Sequence, residues 1–218
     1  MKTMCISKVS CDDKVLEAQQ IPALLDASAV VFQPICCVNW KDYPYCPDVK
    51  FRIAHTGRSL LLEYRVKEAS VRAVAASDNG RVWEDSCCEF FFQVPGDKEN
   101  YYNLECNCGG TLLIGYGRKG EREHAPVEVT SAVKRWSSLG KAPFEERMGE
   151  CEWQMALLIP ADAFFCHQIE HFVGMTARAN FYKCGDLLAT PHFLSWNPIN
   201  LPEPCFHCPE FFGSVHFE

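Results

Sequence analysis

Val82-Trp83-Glu84-Asp85-Ser86-Cys87-Cys88-Glu89-Phe90-Phe91-Phe92 joins a tryptophan, set before a turn, to a run of residues that favour extended backbone. From Cys87 onward the side chains alternate. Glu89, Phe91 and Gln93 share one face, and Cys88, Phe90, Phe92 and Val94 share the other. The second face has the composition of a core. The first mixes an aromatic ring with hydrogen-bonding groups, and Trp83, six residues before Glu89, stands at its rim.

The same period of two recurs on either side. Phe51-Arg52-Ile53-Ala54-His55 alternates, Thr56-Gly57-Arg58-Ser59 turns, and Leu60 to Val66 returns, which is the signature of a hairpin. Further strands are predicted at Val71–Ala75, Cys87–Val94, Tyr101–Cys106, Thr111–Gly115, Glu152–Ile159, Met175–Tyr182 and Ser214–Phe217. Residues 1–30 are weakly patterned, with a strand and a short helix expected between Val15 and Leu25. Ala161 to Ile169, after Pro160, is the one segment of the body that reads as helical. Residues 116–150, rich in charge and glycine, read as a long excursion between strands. Many short strands with Gly, Pro, Asn and Asp between them predict an all-β chain. It is an antiparallel β-sandwich of jelly-roll or immunoglobulin-like type with one short helix, a single domain over residues 1–218.

Composition narrows the classes of function. With 48% hydrophobic and 22% charged residues, the 218-residue chain is an ordinary globular sequence. A formal net charge of −7 and the lack of any Lys/Arg cluster argue against nucleic acid as a partner. Arg118-Lys119-Gly120-Glu121-Arg122-Glu123 is mixed in sign and reads as a solvated loop. No segment has the length of a membrane span, and no apolar stretch follows Lys2, so the sequence as it stands predicts a cytoplasmic protein, exported if it is part of a longer chain. The 14 cysteines lie largely where a strand takes a small apolar residue and are read as reduced thiols.

Alternation also gathers the polar residues. In Tyr101–Asn107 the residues Tyr102, Leu104 and Cys106 form an apolar face, leaving Asn103, Glu105 and Asn107 opposite. In Thr176–Tyr182, Ala177, Ala179 and Phe181 read as buried and Arg178 and Asn180 as facing the other way. If the three strands are neighbours, Glu89, Asn103, Glu105, Asn107, Arg178 and Asn180 make one floor of donors and acceptors; the plainer alternative is a solvated sheet face. Flat aromatic surface beside a carboxylate suits a sugar, whose ring has apolar C–H patches and a girdle of hydroxyls. Glu89 and Glu105 also have the residue types of a glycosidase acid and base. Cys205-Phe206-His207-Cys208 carries zinc-type ligands but lacks a second spaced pair. No nucleophile elbow or phosphate-cradling glycine loop is present.

Taken together, the entry around Trp40, the Phe51–Val66 hairpin, Val82 to Phe91, Tyr101-Tyr102-Asn103-Leu104-Glu105, Leu194-Ser195-Trp196 and Phe206-His207-Cys208-Pro209-Glu210-Phe211-Phe212-Gly213 resemble a family-9 carbohydrate-binding module over about residues 35–218. The resemblance implies a bacterial β-sandwich tied to glycan degradation. Such a module holds a terminal sugar of a mono- or oligosaccharide between two aromatic rings, with glycoside hydrolases as working partners. Trp83 matches the first aromatic. Phe206 stands where the family has a second tryptophan. Glu89 matches the acidic sugar ligand, Asn180 a strand asparagine, and Arg178 takes the place of a glutamine. Asn103, Glu105 and Asn107 are additional candidates from the strand pattern. Trp40, Trp136, Trp153 and Trp196 are assigned to packing. No cofactor is required, although family members carry structural calcium. The reading is non-catalytic sugar binding. The alternatives are a glycoside-processing enzyme using Glu89 and Glu105, and an interaction sandwich without sugar affinity.

Overall fold

The structure, a computed structural model, describes residues 1–218. Fourteen strands run in chain order: β1 (Thr3–Ile6), β2 (Gln33–Pro34), β3 (Cys37–Val38), β4 (Asp48–His55), β5 (Ser59–Ala73), β6 (Cys87–Gln93) and β7 (Tyr101–Asn107) come first. They are followed by β8 (Leu112–Arg118), β9 (Glu121–His124), β10 (Lys134–Ser137), β11 (Phe144–Pro160), β12 (Thr176–Cys184), β13 (Phe193–Ser195) and β14 (Gly213–Phe217). Two short helices, α1 (Ile21–Ala27) and α2 (Val127–Ala132), complete the regular structure.

The strands form two sheets. The larger has the order β1-β14-β12-β6-β7-β8-β9, with β13 branching from β12 and pairing with β3. The smaller has the order β10-β11-β5-β4-β2. Within the larger sheet β12, β6, β7 and β8 are consecutive antiparallel neighbours. The three strands whose polar faces were read from alternation are therefore adjacent, as the floor required.

Between the sheets lies the main core. Cys88, Phe90, Phe92, Tyr102, Leu104, Cys106, Ala177, Ala179 and Phe181 meet Phe51, Leu62, Tyr64, Trp153, Met155 and Leu157 there, so the period-two assignment of core faces holds on all three strands. Phe51 of the smaller sheet stacks on Phe181 of the larger at 3.7 Å between centroids, and Phe181 continues onto Phe90 at 5.0 Å. Truncating such a ring in a packed interior costs about 3–5 kcal/mol. Trp153 and Trp196 are buried in this core as expected.

One charged group crosses the same interior. Lys183 of β12 places Nζ 2.8 Å from Oε2 of Glu68 on β5, with neither side chain exposed. The indole N–H of Trp153 donates to Glu68 Oε1 at 2.7 Å, and Lys183 also donates to His192 Nε2 at 2.8 Å. Burial, with the Lys183 charge beside it, pushes the His192 pKa down to about 3. An ion pair this deep is strongly destabilising to break by halves, because the survivor is left as an unpaired buried charge.

The outer face of the smaller sheet is covered too. Ile21 and Leu25 of α1 pack on Ala54, Leu61, Ala156 and Leu158, with Trp136 at the edge. Leu60-Leu61-Leu62 reads as a continuous apolar run for that reason: both of its faces are buried. Helix formation departs from expectation at Ala161 to Ile169, where only the 3-10 turn Ala161–Ala163 forms. The chain there is held by separate anchors: Ala161 N–H donates to Arg58 O and Cys166 N–H to the Tyr102 hydroxyl, while Phe164 is fully buried. So short an isolated helix has too few internal bonds to compete with them. The predicted Val71–Ala75 strand is the continuation of β5, which runs unbroken to Ala73. The 116–150 excursion holds β9, α2, β10 and the start of β11. No helix is long and apolar enough to cross a membrane.

Candidate functional site

On the side of the larger sheet away from the core, the polar faces of β6, β7 and β12 form the floor of a cavity of about 470 Å³. Glu89 and Glu105 are direct register partners on β6 and β7, and both are buried. Asn103 lies two residues from Glu105 on the same face, and Cys184 of β12 completes the floor. Trp83 reaches the cavity from the 3-10 turn Val82–Glu84. Its backbone carbonyl accepts the Asp186 N–H at 3.2 Å, which brings the Asp186 carboxyl to the same rim.

The other aromatic wall comes from the segment that follows Leu201. Phe206 stacks on Tyr182 at 4.2 Å with 9° between the rings, and it packs edgewise against Phe193 and tilted against Trp40. One face of the phenyl ring is thus occupied by the protein. Trp40 is buried in this cluster behind Phe206, a packing role in keeping with its assignment.

The third side is built by β9. Arg122 places its guanidinium over the Tyr101 ring, 4.4 Å from its centroid, and donates to the Gly117, Tyr101 and Gly115 carbonyls at 2.7, 3.0 and 3.2 Å. It also donates through Nε to Asn103 Oδ1 at 3.0 Å, with a second, shorter bond from Nη2. The Asn103 amide nitrogen in turn donates to Glu105 Oε1 at 2.6 Å. Arginine therefore sets which way the Asn103 amide faces, and Asn103 holds the carboxylate. Gly115 makes room for this, since a Cβ there would stand 2.5 Å from Asn103 Oδ1.

Electrostatically the floor is crowded with acids. Burial pushes the Glu89 carboxyl well above the usual range, and the neighbouring Glu105 charge adds to it. Glu105 is raised to about 7 by burial, opposed by the Asn103 bond and the Arg122 charge. Asp186 is raised to about 6, again by burial. On the wall, burial and then the charges of Arg122 and Lys119 push His207 down to about 4, so it is a neutral hydrogen-bonding group near pH 7; its Nδ1 lies 2.9 Å from the Tyr101 hydroxyl.

Five of the eight candidate residues meet here: Trp83, Glu89, Asn103, Glu105 and Phe206. The other three are on the same sheet face but are spent elsewhere. Asn180 accepts the Phe181 and Asn197 N–H groups at 3.0 and 2.8 Å and donates to Asn197 O at 3.1 Å, clasping the chain after β13. Arg178, at the far end of β12, donates to the Glu210 and Phe212 carbonyls at 3.1 Å each. Asn107 accepts the Gly109 and Thr111 N–H groups at 3.1 and 2.9 Å and donates to Asp85 at 2.9 Å, fixing the β7–β8 turn. None of the three lines this cavity: Asn180 is bonded to backbone groups, Arg178 through Nη2 to two carbonyls, and Asn107 to backbone groups and the Asp85 carboxylate. Conversely Arg122, Asp186, Cys184 and His207 line the cavity unforeseen. Arg122 was hidden in a mixed-charge run; only its neighbours Arg118 and Glu121 form the exposed pair that such a run suggests.

Glu89 and Glu105, the acid and base of the enzymatic alternative, are directly opposed across one strand pair. They rise side by side from adjacent strands of one floor. All fourteen cysteines are free. The one group of three metal-capable side chains is Cys87, Glu89 and Cys184. Its sulfur content does not fit calcium, which takes oxygen ligands.

Comparison with known proteins adds three observations. The sequence profile of carbohydrate-binding family 9 matches residues 19–217, a wider span than the 35–218 of the motif resemblance at its N-terminal side. Among solved structures, a protein of Bacteroides uniformis ATCC 8492, provisionally named carbohydrate-binding, is 57% identical with a TM-score of 0.96, covering 100% of this chain and 99% of that one. A family 9 module from Caldicellulosiruptor kristjanssonii in complex with cellotriose superposes with a TM-score of 0.64 at 11% identity, covering 100% of this chain and 94% of the module. A family 9 module from the same organism in complex with glucose gives 0.60 at 11%, covering 100% and 96%. At that identity the likeness is one of fold. Among curated proteins, none matches.

Proposed function

As a member of carbohydrate-binding family 9 the chain is a carbohydrate-binding β-sandwich, and we propose that it holds a terminal sugar in the cavity between Trp83 and Phe206. The observation that carries this reading is the meeting of two aromatic side chains, far apart in sequence, around a floor of Glu89, Glu105 and Asn103. A pyranose presents apolar C–H faces to the rings and hydroxyls to the floor, where the Arg122–Asn103–Glu105 chain holds its acceptors in a fixed orientation. The volume of about 470 Å³ falls within the ~300–1,000 Å³ range of small-molecule sites and suits one ring with part of a second.

The family 9 modules of the same fold in complexes with glucose and cellotriose make gluco-configured sugars the first ligands to try. Glycan-degrading hydrolases are the partners this reading implies. Isothermal titration with glucose, cellobiose, cellotriose and their reduced alditols tests it: dissociation constants in the micromolar to millimolar range are expected. Weaker binding of the alditols would place the reducing end inside the cavity. No heat with any of these sugars, or with a broader glycan array, would overturn the proposal in favour of an interaction sandwich.

A further inference from the structure

The sequence offers a zinc-like motif at Cys205 to Cys208, but the fold does not assemble it. His207 is engaged with Tyr101, and the Cys208 thiol donates to the Cys205 carbonyl at 3.1 Å. Thiols do come together elsewhere. Cys87 of β6 and Cys184 of β12 are register partners on adjacent strands, and Glu89 follows two residues after Cys87 on the same face. The two sulfurs and a Glu89 carboxylate oxygen all lie within 4.8 Å of one another, and all three residues are buried. Cys184 Sγ is 3.0 Å from Glu89 Oε1.

No cationic side chain is hydrogen-bonded to this cluster. Glu89 has the Cys184 thiol as its hydrogen-bond donor, with Glu105 beside it and Asp186 on the rim. Of the cations nearby, Lys183 emerges on the core side of β12 and is paired with Glu68, Arg122 is tied to Asn103 and three carbonyls, and Lys119, on the cavity wall, donates to the Cys205 sulfur at 3.2 Å. Two thiols and an acid brought together on rigid strands, with no cation bonded to them, offer a metal a set of donors already in place.

We propose that Cys87, Glu89 and Cys184 bind a thiophilic divalent cation, zinc by their chemistry, in the floor of the cavity. Two thiolates and a carboxylate are a zinc donor set, with bonds of about 2.3 Å to sulfur and 2.0–2.2 Å to oxygen, which place two tetrahedral sulfurs about 3.8 Å apart. The observed 4.8 Å limit on the cluster needs only a small inward movement of side chains to close on the ion. Binding exchanges protons for metal: each thiol gives up its hydrogen ion, and the metal accepts an electron pair from each sulfur and from the carboxylate, with no change of oxidation state. The fourth position falls to Asp186 or to a water or ligand oxygen in the cavity. The proposal shares Glu89 with the sugar floor, but its readout is metal alone, so its failure and the failure of sugar binding are distinguishable.

The test is titration of the reduced full chain with zinc against a chromophoric chelator, and with cadmium, whose thiolate charge-transfer absorption counts bound sulfurs. One equivalent is expected, with two thiolates per cadmium. Affinity should fall at least tenfold in Cys87→Ser and in Cys184→Ser, while a Cys205→Ser/Cys208→Ser chain keeps it. X-ray absorption of the zinc-loaded native chain needs no variant and should show two sulfurs with oxygens completing the shell. Unchanged stoichiometry and affinity in the Cys87→Ser/Cys184→Ser chain, or a shell containing imidazole or four sulfurs, would overturn the proposal. So would a purified protein in which Cys87 and Cys184 are linked as a disulfide that takes up no metal after reduction.

Discussion

Replacing Trp83 by alanine removes one wall of the cavity while leaving its frame in place. The indole is half-buried: part packs beside Val82, Cys87, Leu113 and Cys184, and the remainder faces the cavity. A pyranose laid on that outer part hides about 80 Å² of apolar surface, counting both partners, which at about 25 cal/mol/Å² gives about 2 kcal/mol, roughly thirtyfold in Kd. The Phe206 ring is smaller and already covered on one face by Tyr182, so Phe206→Ala should cost about 1 kcal/mol on the same basis, roughly fivefold. The main-chain bond from Asp186 N–H to the residue 83 carbonyl survives the substitution, so the rim stays in place. Isothermal titration with the best-binding oligosaccharide measures both variants, with near-ultraviolet circular dichroism and the thermal midpoint confirming that each is folded. An unchanged Kd for a folded Trp83→Ala protein would refute the assignment of this wall. Loss of affinity in Trp153→Phe, with Trp83→Ala intact, would move the site to the other side of the sandwich.

Lys183→Met should destabilise the fold by about 3–5 kcal/mol in denaturant unfolding, because it strands the buried Glu68 carboxylate; adding Glu68→Gln should recover much of the loss, and a single-variant cost below about 1 kcal/mol would contradict the ion pair. Gly115→Ala forces Asn103 aside and should weaken sugar binding about tenfold through the broken Arg122–Asn103–Glu105 chain, which titration of the folded variant would detect. His192, lowered to about 3 in the folded protein, binds its proton more readily when unfolded. Its contribution is therefore complete above its unfolded pKa of about 6.5 and is lost as the pH falls toward 3, about 2 kcal/mol of it by pH 5. A proton resonance of its ring that titrates above pH 5.5 would show the burial to be wrong. Aryl glycosides and oligosaccharides should pass through unhydrolysed, and turnover abolished by both Glu89→Gln and Glu105→Gln would restore the enzymatic alternative.

Alternation in three short strands carried most of what was legible. Cys88, Phe90 and Phe92 against Glu89 and Phe91, Leu104 against Asn103 and Glu105, and Phe181 against Asn180 all lie on the predicted faces. A period of two assigns faces; it does not say what covers them. The chain around Asn197 and Phe211–Phe212 folds over one end of the polar face, and its backbone groups draw in Asn180 and Arg178, which look the same in sequence as Asn103. Arg122 was illegible for the opposite reason. Its placement depends on the β8–β9 hairpin lying beside β7, which brings the guanidinium over Tyr101, a contact that the solvated charges around it in sequence do not announce. The family pattern located Phe206, and the fold explains what the position needs: a flat ring able to lie on Tyr182.

That stack bears on the kinetics of recognition. A ring held at 9° and 4.2 Å from its neighbour, and flanked by Trp40 and Phe193, has little rotational freedom left to surrender when a ligand arrives. In the proposed binding mode this wall adds no ordering step to encounter, so sugars are expected to enter the cleft at similar rates. Discrimination among them is then expressed in how long each one stays.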